Sequence, residues 1–84
     1  MSEAKRLSNE ARFPTWESLP DGGRRYVLKV AGRGGWSARY VKEVNSVEET
    51  IRFAQGIYDP EGRLIETHEK FPTDLGRQRV EGQP

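Results

Sequence analysis

Residues 50–71 read TIRFAQGIYDPEGRLIETHEKF, and the predicted fold is built outward from them. The central segment Asp59-Pro60-Glu61-Gly62 is a strong turn signal. Asp favours the first turn position, Pro presets φ at the second, and Gly accepts the positive φ that follows a type I turn. Such a turn usually gives a short loop closed by a glycine bulge. We therefore predict a β-hairpin in which Asp59 faces Arg63.

Counting outward from this turn assigns every side chain of the hairpin to a face. We assign the more apolar face to the core: Ile51, Phe53, Gln55, Ile57, Ile65, Thr67, Glu69 and Phe71. In this register Phe53 lies opposite Glu69, and Ile51 lies opposite Phe71. The other face carries the remaining residues: Arg52, Ala54, Gly56, Tyr58, Leu64, Glu66, His68 and Lys70. A slip of one residue would turn the apolar set of one arm toward solvent.

Two more strands precede the hairpin. Arg24–Ala31 (RRYVLKVA) and Trp36–Val44 (WSARYVKEV) alternate in polarity and are rich in Val and aromatic residues. Short connections join all successive strands, which predicts a four-stranded antiparallel meander. A small β-barrel is the structural alternative.

The N-terminal part of the chain is expected to cover one face of the sheet. Residues 1–12 are rich in helix-forming residues and are either flexible or marginally helical. In a helix, Ala4, Leu7 and Ala11 would form a narrow apolar stripe. The segment Phe13–Leu19 is expected to lie as a strap or a single helical turn across the apolar face of the sheet.

These assignments define the predicted organisation of the chain. Residues 13–75 form a single small β-sheet domain, between the N-terminal segment of residues 1–12 and a flexible tail of residues 76–84. The fold class is therefore mainly β, or α+β if the N-terminal segment is helical.

Composition excludes several classes of protein and site. The 84 residues are 33% hydrophobic with a mean hydropathy of -0.88, which indicates a thin core. Without cysteine there is no disulfide framework and no thiolate metal site. A formal charge of +1 gives no general argument for nucleic-acid or membrane binding. We find no apolar run that would serve as a secretion signal or span a membrane, so a cytoplasmic location is expected.

The hairpin tip also has a family resemblance. The segment Tyr58–Leu64 (YDPEGRL) resembles one unit of the YD repeat found in large bacterial surface and toxin-associated shells. The resemblance covers a single hairpin, and the chain contains no second copy. Because a YD shell needs many stacked units, we transfer no function from it.

Residues that carry chemistry are sparse. His68 is the one histidine, and on a strand it shares its face with Glu66 but not with Glu69. With no cysteine and no second histidine, it completes neither a zinc site nor a nucleophilic site, and we assign no catalytic residue, metal or cofactor. The glycine-rich segment of residues 32–35 is interpreted as a hairpin turn rather than an anion-binding loop.

Arginine and aromatic side chains on the predicted strands are the best indication of function. They are typical of protein interfaces and of sheets that bind single-stranded nucleic acid. The candidate binding residues are Arg25, Arg33, Trp36, Arg39, Tyr40, Arg52 and Tyr58.

These residues are compatible with three functions. We favour a non-catalytic module that binds a protein partner, or itself as a homodimer, through a sheet face or edge strand, because positive and negative charges balance. A single-stranded nucleic-acid binder is the alternative. The remote alternative is a small metal-independent hydrolase, such as a nuclease toxin, that uses His68.

Overall fold

The computed structural model describes residues 3–80. Its elements are, in chain order, helix α1 (Glu3–Arg12) and strands β1 (Thr15–Ser18), β2 (Arg24–Ala31), β3 (Ser37–Val44), β4 (Thr50–Tyr58), β5 (Leu64–Phe71) and β6 (Gly76–Arg79). The residues between β2 and β3 form a short 3-10 turn at Arg33–Gly35.

The strands form one open antiparallel sheet. Each strand pairs with the next in the chain, so the order in the sheet is β1-β2-β3-β4-β5-β6. The prediction of a mainly β antiparallel meander is confirmed, and residues 3–12 add one helix to it. The predicted number of four strands is wrong, because short strands at both ends extend the sheet to six. A barrel is wrong as well, since β1 and β6 remain edges and do not pair with each other.

The two additional strands come from segments that the sequence placed outside the sheet. Thr15–Ser18 was expected to cross the sheet face, but it pairs with β2, with Trp16 opposite Tyr26. Its flanking prolines suit an edge strand, where one side of the backbone makes no ladder bonds. At the other end, Gly76–Arg79 belongs to the predicted tail but pairs with β5. Residues 81–84 of that tail lie outside the described part of the chain.

The tip of the β4–β5 hairpin has the predicted turn. The Asp59 amide donates to the Arg63 carbonyl at 3.0 Å, and the Gly62 amide donates to the Asp59 carbonyl at 2.9 Å. Gly62 has a φ of 84°, the left-handed conformation that favours glycine. The Asp59 carboxylate also accepts hydrogen bonds from the amides of Glu61 and Arg63, each at 2.9 Å. Local chemistry therefore explains this turn.

Beyond the first pair, the predicted register of the hairpin is wrong. Tyr58 faces Leu64 as expected, but a bulge next to this pair places Ile57 opposite Glu66. A second bulge places Phe53 opposite Phe71, not Glu69. Each bulge adds one residue to β5 and so reverses the faces of the β5 residues beyond it. Glu69 is thereby moved off the apolar face.

The core lies on one face of the sheet, which we call the helix face because α1 packs over β2 there. Its buried cluster consists of Phe13, Tyr26 and Val44, with Leu28, Tyr40 and Phe53 packed against it. The predicted alternation of β2 and β3 is confirmed by this cluster. Two of the predicted core residues are instead largely accessible: Ile51 is 43% exposed and Phe71 is 44% exposed.

Candidate functional site

The opposite face of the sheet carries an alternating row of charged side chains from β1 to β5. Arg25 Nη1 lies 2.6 Å from Glu17 Oε2, and Arg25 Nε lies 2.8 Å from Glu43 Oε2. On the next strand, Arg52 Nη1 lies 3.9 Å from Glu43 Oε2, and Arg52 Nε donates to Glu69 Oε1 at 3.1 Å. We call this row the charge ladder and its side of the sheet the ladder face.

The charge ladder neutralises two of the arginines that the sequence suggested for binding. The hydrogen bond with Glu43, followed by that with Glu17, raises the pKa of Arg25. The hydrogen bond with Glu69 raises the pKa of Arg52. Both cations therefore stay charged but are already shared with carboxylates. A phosphate would have to displace those carboxylates in order to bind here.

Next to the charge ladder, the ladder face has a small cleft of about 160 Å³. Gly56 lies at its floor, where an added Cβ would come within 3.1 Å of Leu64 Cδ1 and 3.2 Å of Tyr58 Cε2. The Arg39 guanidinium also lines it and lies 5.0 Å from the centroid of the Tyr58 ring. The absence of a side chain at Gly56 therefore leaves room for Tyr58 and Leu64 to fold over the strand.

A larger groove runs along the helix face beside α1, and we call it the aromatic groove. Its floor is made by four rings, those of Phe13, Tyr40, Phe53 and Phe71. Tyr40 stacks on Phe53 with 6.4 Å between centroids and 19° between planes. Adjoining cavities of about 690, 360 and 200 Å³ lie along the groove and share lining residues. Phe71, 44% exposed, is its most accessible ring.

Positive side chains border the aromatic groove. Arg12 and Lys42 line it, and the Lys70 ammonium lies 5.6 Å from the Tyr40 centroid and 5.8 Å from the Phe53 centroid. Within residues 3–80, Arg12 and Lys70 form no ion pair. Burial and the nearby Arg12 charge lower the pKa of Lys42. The groove therefore combines an apolar floor with the positive charges of Arg12, Lys42 and Lys70, while Glu49 lines its largest cavity and the Lys70 charge contributes to the lowered pKa of Asp74.

The wall of the groove is helix α1, which a buried carboxylate attaches to the sheet. Glu48, in the β3–β4 loop, accepts hydrogen bonds from Asn9 Nδ2 at 3.1 Å and Arg6 Nε at 3.2 Å. It also accepts one from the Tyr26 hydroxyl. Lys42 Nζ donates to Asn9 Oδ1 at 2.8 Å on the same side of the helix. The predicted apolar stripe of α1 does not face the sheet, since its largest member, Leu7, is 60% exposed.

The candidate binding residues named from the sequence do not form one site. Arg25 and Arg52 belong to the charge ladder, Arg39 and Tyr58 line the cleft, and Tyr40 forms part of the aromatic groove on the other face.

The remaining two candidates lie away from these surfaces. Arg33 and Trp36 lie in the β2–β3 connection, where Trp36 is 43% exposed. Neither of them lines the cleft or the groove.

Several residues of the aromatic groove were not among the candidates named from the sequence. Phe53 and Phe71 were assigned to the core, and Lys70 was assigned to the polar face. The β5 bulge brings Lys70 over the two rings and Phe71 opposite Phe53. Alternation of polarity along a strand does not reveal a bulge, so the sequence contains no pattern that would bring Phe53, Lys70 and Phe71 together. The only sequence signal for Arg12, Lys42 and Lys70 is their positive charge, which does not distinguish them from the other basic residues of the chain.

His68 pairs with Asp74 in the connection between β5 and β6. The sequence assigns His68 to the polar face of the hairpin together with Ala54, but the bulge places it opposite Gln55, so that assignment is wrong. His68 Nε2 lies 2.6 Å from Asp74 Oδ1, and that same oxygen accepts a hydrogen bond from the Gly76 amide at 2.9 Å. Both interactions, first the one with His68, lower the pKa of Asp74. Within residues 3–80, no cluster of three or more His, Cys, Asp or Glu side chains is arranged to hold a metal ion.

The helix in the described part of the chain is neither long nor apolar enough to cross a membrane. No protein-family model, curated protein or solved structure matches the chain.

Proposed function

We propose that the protein is a non-catalytic interaction module whose aromatic groove binds an acidic segment of a partner protein. The observation that supports this proposal is the pairing of an exposed aromatic floor with a positive border. Apolar side chains of the partner would pack on Phe53 and Phe71, and its carboxylates would lie near Arg12 and Lys70.

The apolar floor supplies the area for binding. Phe71 is 44% exposed and lies beside the half-buried Phe53 in a cavity of about 360 Å³. A short segment can place one or two apolar anchors in such a groove, as amphipathic segments do in other helix-lined grooves. Aromatic residues in partly enclosed pockets are the usual centres of binding energy at protein interfaces.

The positive border determines which segments fit. Because Arg12 and Lys70 form no ion pair within residues 3–80, a segment with acidic residues would add favourable charge pairs. The buried carboxylate of Glu48 does not compete, since its oxygens are already bound by Tyr26, Asn9 and Arg6. A basic segment would be repelled.

The sheet face is favoured over the sheet edges as the binding surface. Both edge strands are short: β1 covers Thr15–Ser18 and β6 covers Gly76–Arg79. Pro14 precedes the first, and Arg77 and Arg79 lie on the second. Short edges with proline or charged residues discourage the addition of another strand.

The geometry gives less support to single-stranded nucleic acid. Tyr40 and Phe53 stack on each other, with Lys70 over both rings, and Phe71 is the one largely exposed ring of the groove, whereas single strands usually stack on several successive aromatic side chains. Arg25 and Arg52 are held by carboxylates of the charge ladder. A partner protein therefore fits the groove better than a nucleic acid does.

The test is a titration with two synthetic peptides, monitored by amide chemical shifts. One peptide alternates Asp with Leu and Phe, and the matched peptide has Lys in place of Asp. We expect the acidic peptide to bind along the groove and the basic peptide not to bind. Phe71→Ser should weaken binding by about tenfold, and Lys70→Glu should have a similar effect. Lys29→Glu, on the ladder face, is the matched control and should leave binding unchanged.

Other outcomes would replace the proposal. A dimer in solution that Phe71→Ser dissociates would make a second copy of the chain the occupant of the groove. Binding of oligothymidine that weakens steeply with salt would favour the nucleic-acid alternative. If neither peptide shifts the groove amides and the protein is monomeric, the groove is not a binding site.

A further inference from the structure

Two positive side chains on the ladder face differ from the other cations there. They lie opposite each other, and neither lies opposite a carboxylate. Lys29 on β2 is the direct cross-strand partner of Arg39 on β3. Like charges directly opposite in a sheet destabilise it. Within residues 3–80 neither side chain forms an ion pair, whereas Arg25 and Arg52 on the same face each have two carboxylate neighbours.

Arg39 is also incompletely hydrogen-bonded. Its Nε is buried and has no hydrogen-bond partner within residues 3–80. The guanidinium contacts the Tyr58 ring, with 5.0 Å from Cζ to the centroid, but a ring does not satisfy a planar fork of N–H donors. A carboxylate bound side-on accepts from Nε and one Nη together. Binding of this kind requires the guanidinium to turn so that Nε, which is buried, reaches the ligand together with one Nη.

The cleft beside Arg39 has room for the rest of a small molecule. Its volume is about 160 Å³, similar to that of engineered apolar cavities that bind benzene. Val41, Ala54 and Gly56 supply a mostly apolar surface between Arg39 and Tyr58. At the other end, Arg52 is occupied by Glu69, so it does not compete for the ligand anion.

We propose that this cleft binds a small organic carboxylate, with the carboxylate on Arg39 and an apolar group of about benzene size on Val41, Ala54 and Gly56. Lys29 contributes a second positive charge across the strand pair. The planar fork of Arg39 favours a carboxylate, and the apolar surface favours an attached hydrocarbon over a free inorganic anion. This site is on the opposite face from the aromatic groove and does not depend on it.

The test is a titration of the full chain with benzoate, monitored by amide chemical shifts. Benzyl alcohol, which has the ring but no charge, and acetate, which has the charge but no ring, are the matched probes. We expect benzoate to shift the amides of Arg39 and Gly56, and both matched probes to bind at least about tenfold more weakly.

Variants identify the group that holds the anion. Arg39→Met should weaken benzoate binding by at least about tenfold, and Lys29→Met by about threefold. Arg39→Lys keeps the positive charge but not the planar fork of donors. Its benzoate affinity should therefore lie between those of Arg39→Met and the unchanged protein. It also tests the proposal if Arg39→Met does not fold. Lys70→Met, in the aromatic groove, should bind benzoate normally.

Three results would overturn the proposal. Equal binding of benzyl alcohol would show that the charge of the ligand has no role. Undiminished benzoate binding by Arg39→Lys would show that the planar fork of arginine donors has no role. Benzoate shifts confined to the aromatic groove would place the ligand on the wrong face. Failure of the acidic peptide in the groove leaves this proposal intact, because the two sites share no residue.

Discussion

The hydroxyl of Tyr26 donates a hydrogen bond to the carboxylate of Glu48, and both residues are almost completely buried. Tyr26 is 0% exposed and Glu48 is 2% exposed. The core of this small protein therefore contains a charged group, which is costly unless donors surround it. Asn9 and Arg6 supply the further donors, so burial of one carboxylate fixes the position of helix α1.

The first prediction concerns which residues hold the helix. Asn9→Ala removes the hydrogen bonds to Glu48 and Lys42 and leaves buried polar atoms unpaired, so it should lower the free energy of unfolding by about 2 kcal/mol. Leu7→Ala, on the exposed side of the same helix, should change it by less than about 0.5 kcal/mol. Urea denaturation of both variants measures the difference.

Helix propensity opposes the expected result, because replacing Asn by Ala gains more helix propensity than replacing Leu by Ala. A larger loss of stability in Asn9→Ala therefore reports the lost hydrogen bonds. If Leu7→Ala were the more damaging substitution, the helix would be held by its apolar stripe and not by the polar contacts of Asn9.

The second prediction concerns acid. Burial raises the pKa of the Glu48 carboxyl, but the hydrogen bonds from Tyr26, Asn9 and Arg6 lower it by more, and the net pKa lies below its ordinary value. The unfolded chain, in which this residue has its ordinary pKa, therefore takes up the proton first as the pH falls. The stabilisation is complete above that ordinary pKa and is lost as the pH falls through the lower pKa of the folded state.

Comparison with Glu48→Gln isolates this contribution. The variant should be less stable by about 2 kcal/mol at pH 7, and the difference should shrink at pH 3. Asp59 and Asp74 also have lowered pKa values, the first through the Arg63 amide and the second through His68, but they titrate in both proteins and cancel. A difference that is the same at both pH values would contradict the prediction.

The third prediction concerns the charge ladder. Arg25 and Glu43 approach to 2.8 Å, whereas Arg52 and Glu43 are 3.9 Å apart. Double-mutant cycles with Gln substitutions should give a coupling energy of about 0.5 kcal/mol for the closer pair and a smaller one for the other. Since both arginines are about 40% exposed, 1 M salt should remove most of the coupling.

The order of the two coupling energies, more than the size of either one, tests the geometry of the charge ladder. Coupling that is stronger for Arg52 with Glu43, or that rises with salt, would be inconsistent with the ladder. The pair of Lys29 and Arg39 is the control for like charges, and its coupling should have the opposite sign.

The sequence by itself determined the local features. The turn at Asp59 and Gly62 results from side-chain acceptors and from the freedom of glycine at positive φ, both of which act within a few residues. Strand β2 has the predicted bounds, Arg24–Ala31, because alternation over a whole strand is a strong local pattern. The alternation puts Tyr26 and Leu28 on the same face of the strand, and the folded sheet shows that this is the core side.

Tertiary structure decided the register, the edges and the candidate sites. The bulges of β5 are invisible in the alternation, and one of them joins Arg52 to Glu69, which are 17 residues apart. The edge strands are four residues each, too short for a periodic pattern, and pairing with a formed neighbour stabilises them.

The attachment of α1 to the sheet was likewise decided by the tertiary structure and not by local sequence. Asn9 meets Glu48 across 39 residues of sequence, and neither residue looks like a core residue when read alone. A polar side chain is buried when donors and acceptors from distant segments converge on it, and only the folded chain brings them together. The aromatic groove and the Arg39 cleft exist for this reason: local pattern supplied their rings and cations, and the bulged sheet placed them on opposite faces.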